Sequence, residues 1–567
     1  MHPSRRAPRG ETWRLPVNTR AHLPPGQEAE SALPAALDEW RAAIGGAHVR
    51  TDPALLDQLG TATYPTDQRV AAAIYPGDRQ QVRACLRIAT RHKVPLYPVS
   101  TGKNWGYGSA APVVDGCVVM PLSRMNRILD YDEEFAYVTV EPGVTQLQLH
   151  NYLIDRGARL FAGFTGSTPS ASLIGNVLER GLGSGPYNDR FSHVCGFEVI
   201  LATGEILHTG FTRYPGAVTG ELHRWGVGPW LDGIFTQSNL GVVTRMTLWL
   251  TPMPGYVARF AFSVGESRSA LDNTLNALRQ LSLSGVLGSG FLFFNDLRIL
   301  TTQQRYPWAE AGGRVPLPAD LRRELRRRRG LGAWNGRGTI HAVDARHGAE
   351  LRRIVTESLG PHVERLTFGE DDQLSQGNTS SPSVLDWCAP SESQLLMAYW
   401  RIRENEPADA ETESGVGPGA GAGAGAGISH HSAPMDLDRD GCGLIWSCPV
   451  LPLNGRHVRV VVDTVERVTR SHGFEANIGL HASGERTAVA TVILAYDRSV
   501  EGEDDRAMAC YDVLEQQFSD LGYPPYRMST RAMRSSLHAN DDMSAVLRRL
   551  KNALDPAGIL APGRYVL

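Results

Sequence analysis

Residues 98–112, Pro-Val-Ser-Thr-Gly-Lys-Asn-Trp-Gly-Tyr-Gly-Ser-Ala-Ala-Pro, set Gly102, Gly106 and Gly108 among Ser100, Thr101 and Asn104, directly after an apolar run. Glycines at this spacing let backbone amides close around an anion such as a pyrophosphate, with short hydroxyl and amide side chains beside them. The same pattern also fits an ordinary glycine-rich turn, so this loop alone leaves both readings open. A second stretch, residues 161–187, has small residues at many positions, which implies backbone threaded against a large flat ligand. A third, residues 237–246, puts Ser238, Asn239 and Gly241 just ahead of a strand-like run.

Other chemistries find less support. The chain has no Cys-x-x-Cys-His, no Cys-x-x-Cys pair and no His-Glu-x-x-His, so no metal is expected. Its 57 Lys and Arg against 60 Asp and Glu give a net charge of −3, too little positive charge for an extended nucleic-acid surface. No run approaches the roughly 18 apolar residues that cross a bilayer. The seven cysteines are odd in number and scattered, mostly within apolar strings, and read as reduced packing residues of a cytoplasmic protein. The basic stretch 322–329 is either a recognition helix or a solvated helix face; the second is favoured because nothing else in the chain adds basic support. Residues 415–427 are almost pure Gly and Ala and are expected to be disordered. They follow no strand and open no helix, so they are not a nicotinamide-dinucleotide fingerprint.

The elements that must hold these loops follow from periodicity. A length of 567 residues predicts two to four compact units. Apolar runs alternating with helical patterns between about residues 33 and 251 give a mixed α and β domain. A helix opens at Asp78, with Gln81 three residues on, and puts Val82, Cys85, Leu86 and Ala89 on one face. Strands are expected at 94–99, where Pro95 and Pro98 argue for a sheet edge, and at 116–120, 136–140, 196–202 and 241–250. Further strand-like runs lie at 458–462 and 488–495. Residues 552–564 end a helix and turn twice at Pro and Gly, a pattern that returns to dock on an earlier domain.

Taken in order, the three loops and the terminal Ala561-Pro-Gly-Arg564 resemble the flavoprotein family of vanillyl-alcohol oxidase and p-cresol methylhydroxylase (4-cresol dehydrogenase), from about residue 72 to 252 and again from about 437 onward. The resemblance implies an α+β protein: a two-subdomain FAD-binding domain and an α+β cap with an antiparallel sheet. The corresponding divisions are a tail at 1–30, the FAD domain at 31–252, the cap at 253–515 with the 415–427 insertion, and a returning segment at 516–567. It further implies that Ser100, Gly102, Asn104, Gly106 and Gly108 sit at the FAD pyrophosphate. Pro142, Gly143, Ser172, Gly175, Asn176, Gly241, Val242 and Val243 then line the rest of the cofactor, with Arg564 approaching it. Tyr107, Tyr526 and Arg527 fall where phenol-oxidising members surround the substrate oxygen. The implied reaction ionises a para-substituted phenol and passes a hydride from its benzylic carbon to flavin N5, giving a p-quinone methide. Electrons then go to O2 or to a separate carrier such as a cytochrome, and a homodimer is expected.

Three departures qualify the resemblance. Ser167 stands where the vanillyl-alcohol oxidase branch has an acidic residue, which leans the chain towards the cresol dehydrogenase branch. Gly443 and Leu444 occupy the place of a histidine that tethers FAD in oxidase members; Tyr399, His430 and His431 are weak alternatives, so FAD is expected without a covalent bond. Thr487 to Val489 replace a family histidine pair, leaving His481 as the nearest imidazole. Oxidation of a non-phenolic alcohol or natural-product intermediate, or FAD and phenol binding without catalysis, therefore stay open as alternatives.

Overall fold

A computed structural model describes residues 27–370, 390–403, 435–535 and 541–565. Most of the expected tail, the Gly/Ala tract, Cys388, His430 and His431 lie outside the described residues.

The Asp78 carboxylate accepts from the amides of Gln80 and Gln81 and starts the helix Arg79–His92, which buries Val82, Cys85, Leu86, Ile88 and Ala89. The following strand is Leu96–Val99 and starts two residues later than the apolar run, because the Val94 amide closes the helix on the Ala89 carbonyl (3.0 Å). It forms the edge of a four-stranded sheet in the order Val49–Arg50, Ala72–Ile74, Val118–Pro121, Leu96–Val99, where a proline lacking an N–H is tolerated. A five-stranded antiparallel sheet follows, in the order Ile128–Asp132, Tyr137–Val140, Val242–Trp249, Val194–Ile200, Ile206–His208.

The third sheet has eight strands, all antiparallel, running Arg365–Glu370, Tyr256–Val264, Trp334–Ala342, Phe291–Asn295, Asn477–Ser483, Thr487–Asp497, Cys442–Ser447, with Val450–Pro452 also on Thr487–Asp497. The helices Arg268–Leu283, Ala345–Leu359, Gly455–Ser471 and Glu503–Asp520 bury their apolar stripes on one face of it. Its other face packs Cys442, Leu444, Ile493 and Ala495 against residues 395–399 at one end and lines a cavity beside them. A two-stranded pair, Leu160–Phe161 with Thr251–Pro252, leads into the second loop; the fold is thus α+β, with the smaller sheets carrying the loop motifs and the larger antiparallel sheet over them.

The strand-like run at 458–462 is a correction: it lies inside the helix Gly455–Ser471. Asn454 caps that helix on the Arg456 amide (2.9 Å), and Val458, Val461, Val465 and Val468 are buried at spacings of three and four. The helical period over four turns outweighs the local preference of valine for strands. The basic run is a helix, Ala319–Arg328, whose Arg323, Arg327 and Arg328 pair with Asp320, Glu324 and Glu310 at the surface. It is not solvated throughout, since Arg322 turns inward to the fully buried Asp296 (2.9 Å).

After the helix Asp542–Leu554, residues 559–561 lie along the Leu96 edge. Leu96 donates to the Ile559 carbonyl (2.8 Å) and Ala561 to the Leu96 carbonyl (2.7 Å), which covers that edge. Lys551 fixes the turn by donating to the carbonyls of Asn239 (2.8 Å) and Leu560 (2.7 Å) while paired with Asp555. No described helix is long and apolar enough to cross a membrane.

Candidate active site

A cavity of about 1660 Å³ opens between the loops of the smaller sheets and the face of the large one opposite its helices. Ser100, Gly102, Asn104, Ser167, Ser172, Gly175, Asn176, Gly241, Val242, Val243 and Arg564 all line it. Gly106, Gly108, Pro142 and Gly143 stand behind its wall instead. Gly106 has φ +79°, and a Cβ there would fall 1.9 Å from Trp446 Cδ1; Gly108 backs onto Thr530 in the same way. A Cβ on Gly143 would sit 2.7 Å from the Met125 carbonyl, and the Pro142 carbonyl accepts the Ser172 hydroxyl (2.6 Å). These four shape the loops rather than the surface they present. Ser172 is likewise occupied, since its hydroxyl also accepts from the Gly175 amide (2.9 Å).

At the other end, Tyr107, Tyr526 and Arg527 come together from segments more than 400 residues apart in the chain. The Arg527 guanidinium lies 5.4 Å from the Tyr107 ring centre and 5.2 Å from that of Tyr526. Its Nε donates to the Glu179 carbonyl (2.8 Å), which aims the rest of the group. Burial works against its charge, but the oxygens of Tyr526, Tyr107 and Glu179 around it raise its pKa overall, so it stays a cation. Tyr107 donates to Cys448 Sγ (3.2 Å), a weak acceptor that a better one displaces readily. Burial lifts the Tyr107 hydroxyl well above its ordinary pKa and raises that of Tyr526 too, so both remain proton donors. Tyr526 donates to the Arg180 carbonyl.

Several residues here carry no sequence signal of their own. Trp446 lies parallel to Tyr107 with ring centres 6.5 Å apart, and Cys448 and Val489 pack on the same ring. Gln237, held at φ +45°, donates to the Tyr526 carbonyl (3.1 Å). Glu179 links the two ends: its carbonyl takes Arg527, and its carboxylate takes Arg564 and the Tyr565 hydroxyl (3.0 Å). Arg564 also donates to Tyr97 (2.5 Å). Leu444 lines the cavity and Gly443 packs on Tyr496, so neither offers a group for covalent attachment. The Tyr399 hydroxyl donates to Asp440 (2.7 Å). His481 reaches the cavity beside Val489, its cross-strand partner.

The donor set of the loop half consists of short hydroxyls and amides, from Ser100, Thr101, Asn104, Asn176 and Ser238, with small residues between them. This chemistry fits an elongated cofactor with phosphates and a flat ring system, and the cavity has room for a substrate beyond it. Arg564 supplies a cation at that end.

A sequence model of the FAD binding domain matches residues 70–210. The chain is 42% identical over 554 residues to 1'-carboxy-chondrochloren decarboxylase of Chondromyces crocatus, covering 94% of this chain and 97% of the relative. It is 28% identical over 537 residues to the 4-cresol dehydrogenase [hydroxylating] flavoprotein subunit of Pseudomonas putida, covering 93% and 94%. A crystal structure of p-cresol methylhydroxylase with substrate bound superimposes with a TM-score of 0.81 at 27% identity, covering 95% of this chain and 98% of the other.

Proposed function

The chain belongs to the vanillyl-alcohol oxidase and p-cresol methylhydroxylase family of FAD-dependent oxidoreductases, and from that premise we propose that it oxidises a para-substituted phenol at the benzylic carbon. The observation that carries this reading is the meeting of Tyr107, Tyr526 and Arg527 at one end of the cavity, opposite the loops suited to FAD.

In this reading Ser100, Gly102, Asn104, Asn176, residues 241–243 and Arg564 hold FAD. Once bound, FAD supplies the two-electron oxidation by accepting a hydride. The chain's own residues prepare the substrate. A phenol ionises near pH 10, and holding it as phenolate near pH 7 requires a shift of roughly 3 units, or about 4 kcal/mol. Charge-assisted hydrogen bonds contribute about 1.5–3 kcal/mol each, so one guanidinium and two hydroxyls suffice. The phenolate pushes electron density to the para position, which weakens the benzylic C–H bond. After hydride loss the substrate is a p-quinone methide, which water attacks at the benzylic carbon. Ser167 offers no carboxylate there, so proton transfer falls to water or the substrate.

Anaerobic stopped-flow mixing with 4-ethylphenol tests the reading. Wild type is expected to lose its oxidised-flavin absorbance, and Tyr107→Phe to lose it about 10- to 100-fold more slowly, the equivalent of one charge-assisted bond. Equal rates would favour a non-phenolic substrate.

A second reading, oxidation coupled to loss of CO2, is favoured by the identity to a protein named as a decarboxylase. Where the carbon next to the oxidised one bears a carboxylate, breaking that C–C bond releases CO2. The electron pair closes a new C=C bond and restores the aromatic phenolate. Release of CO2 in step with flavin bleaching supports it, and a product that keeps its carboxylate opposes it.

A further inference from the structure

The large sheet presents a row of side chains to the cavity. Val489, packed on Tyr107, pairs with His481, His481 with Leu292, and Leu292 with Arg337. Residues in register on neighbouring antiparallel strands share a face. Arg298, on the helix Asp296–Gln303, joins this row: burial and the Arg298 and Arg337 charges together hold His481 down at about 3. The phenol end of the cavity therefore runs directly into a pair of guanidiniums, with Arg259 next to Arg337.

Among the described residues Arg259, Arg298 and Arg337 pair with no carboxylate, and Glu179, already engaged by Arg564, is the only carboxylate lining the cavity. Arg298 is 3% exposed. It gives Nη2 to Gln394 (3.2 Å) and rests over the Phe294 ring, while its Nε and Nη1 have no hydrogen-bond partner among the described residues. Burial, with Arg337 beside it, lowers the Arg298 pKa to about 9. A buried guanidinium with open N–H groups next to another cation is costly unless an anion arrives to meet it.

We propose that Arg298 and Arg337 form an anion subsite for a carboxylate carried on the side chain para to the phenol, which, resting on the phenol reading above, makes the substrates 4-hydroxyphenyl carboxylic acids. Bidentate pairing with a planar carboxylate matches the arginine fork. His481, neutral at working pH, lies on the strand between the two anchors. Water and neutral alkyl chains leave the guanidiniums unmatched, so the subsite selects by charge.

The test uses FAD-loaded wild type, Arg298→Gln and Arg337→Gln with three compounds: 3-(4-hydroxyphenyl)propanoate, 4-propylphenol and 3-phenylpropanoate. Rates come from anaerobic flavin bleaching and affinities from perturbation of the flavin spectrum. Each variant is expected to lose kcat/KM for the hydroxylated acid on the order of 10²-fold, at least tenfold more than for 4-propylphenol, with the loss mainly in KM. Binding of 3-phenylpropanoate, which has no phenol, should weaken in parallel. Equal losses for acid and alkylphenol, or binding of 3-phenylpropanoate that is the same in wild type and variants, including none in either, would overturn the subsite. Weaker FAD retention as the sole change would assign the arginines to the cofactor and also overturn it. If 3-phenylpropanoate binding depends on Arg298 but no phenol bleaches the flavin, the subsite stands and the phenol reading falls.

Discussion

Arg527→Ala lowers kcat/KM for a 4-alkylphenol by roughly 10²- to 10³-fold at pH 7, the equivalent of about 3–4 kcal/mol. The guanidinium sits over both tyrosine rings and is aimed by the Glu179 carbonyl, so no neighbouring cation replaces it at that spot. The pH dependence gives a second readout with a definite sign. In wild type the bound phenol's pKa is depressed, and the rate of flavin bleaching is flat from neutral pH upward. In Arg527→Ala that pKa returns towards 10, and the rate climbs about tenfold per pH unit up to that point. A variant that slows equally at every pH would assign Arg527 a packing role.

Gly106→Ala is expected to lower turnover by on the order of 10²-fold and to destabilise the protein by about 2–4 kcal/mol. The backbone at 106 has φ +79°, where an L side chain is strained, and the added methyl would meet Trp446 Cδ1 at 1.9 Å. Trp446 cannot swing aside cheaply: its Nε1 donates to the Trp105 carbonyl (3.1 Å) and its ring lies against Tyr107. Strain at a residue behind the cavity wall therefore reaches the phenol end directly. The clash is pairwise, so the same substitution in a Trp446→Leu background costs less than in wild type, measured as thermal midpoint and as flavin-bleaching rate. Additive effects would place the damage in the backbone alone.

The loops were legible in the sequence because their chemistry is local. Glycines, serines and asparagines at residues 98–112, 161–187 and 237–246 mark backbone that must approach something closely, and three such segments in order are specific where one is not. The helix at Asp78 was legible for the same reason, since cap and apolar face lie within a few turns. The valines at 458–462 misled because a strand-like local run lies within a longer helical period. Gly106 and Gly143 were assigned to the cavity surface, yet they serve tight contacts behind it; a sequence marks that a glycine is needed but not which side presses on it. Arg298 and Arg337 carry no motif at all. Their meeting depends on the pairing of Leu292 with both His481 and Arg337, a long-range register that no local pattern encodes. Trp446 and Cys448 follow Gly443 and Leu444, where the tethering histidine is missing, and only the fold shows that they pack against Tyr107.

The central claim is that this site holds a phenol in its ionised form. It is tested most directly by ultraviolet difference spectroscopy of the FAD-loaded protein with 4-tert-butylphenol, which has no benzylic hydrogen to lose and so stays bound unreacted. At pH 7 the bound compound is expected to show the phenolate absorption in wild type and the neutral phenol spectrum in Arg527→Ala. A neutral phenol spectrum in wild type, with binding established by titration, would contradict the account.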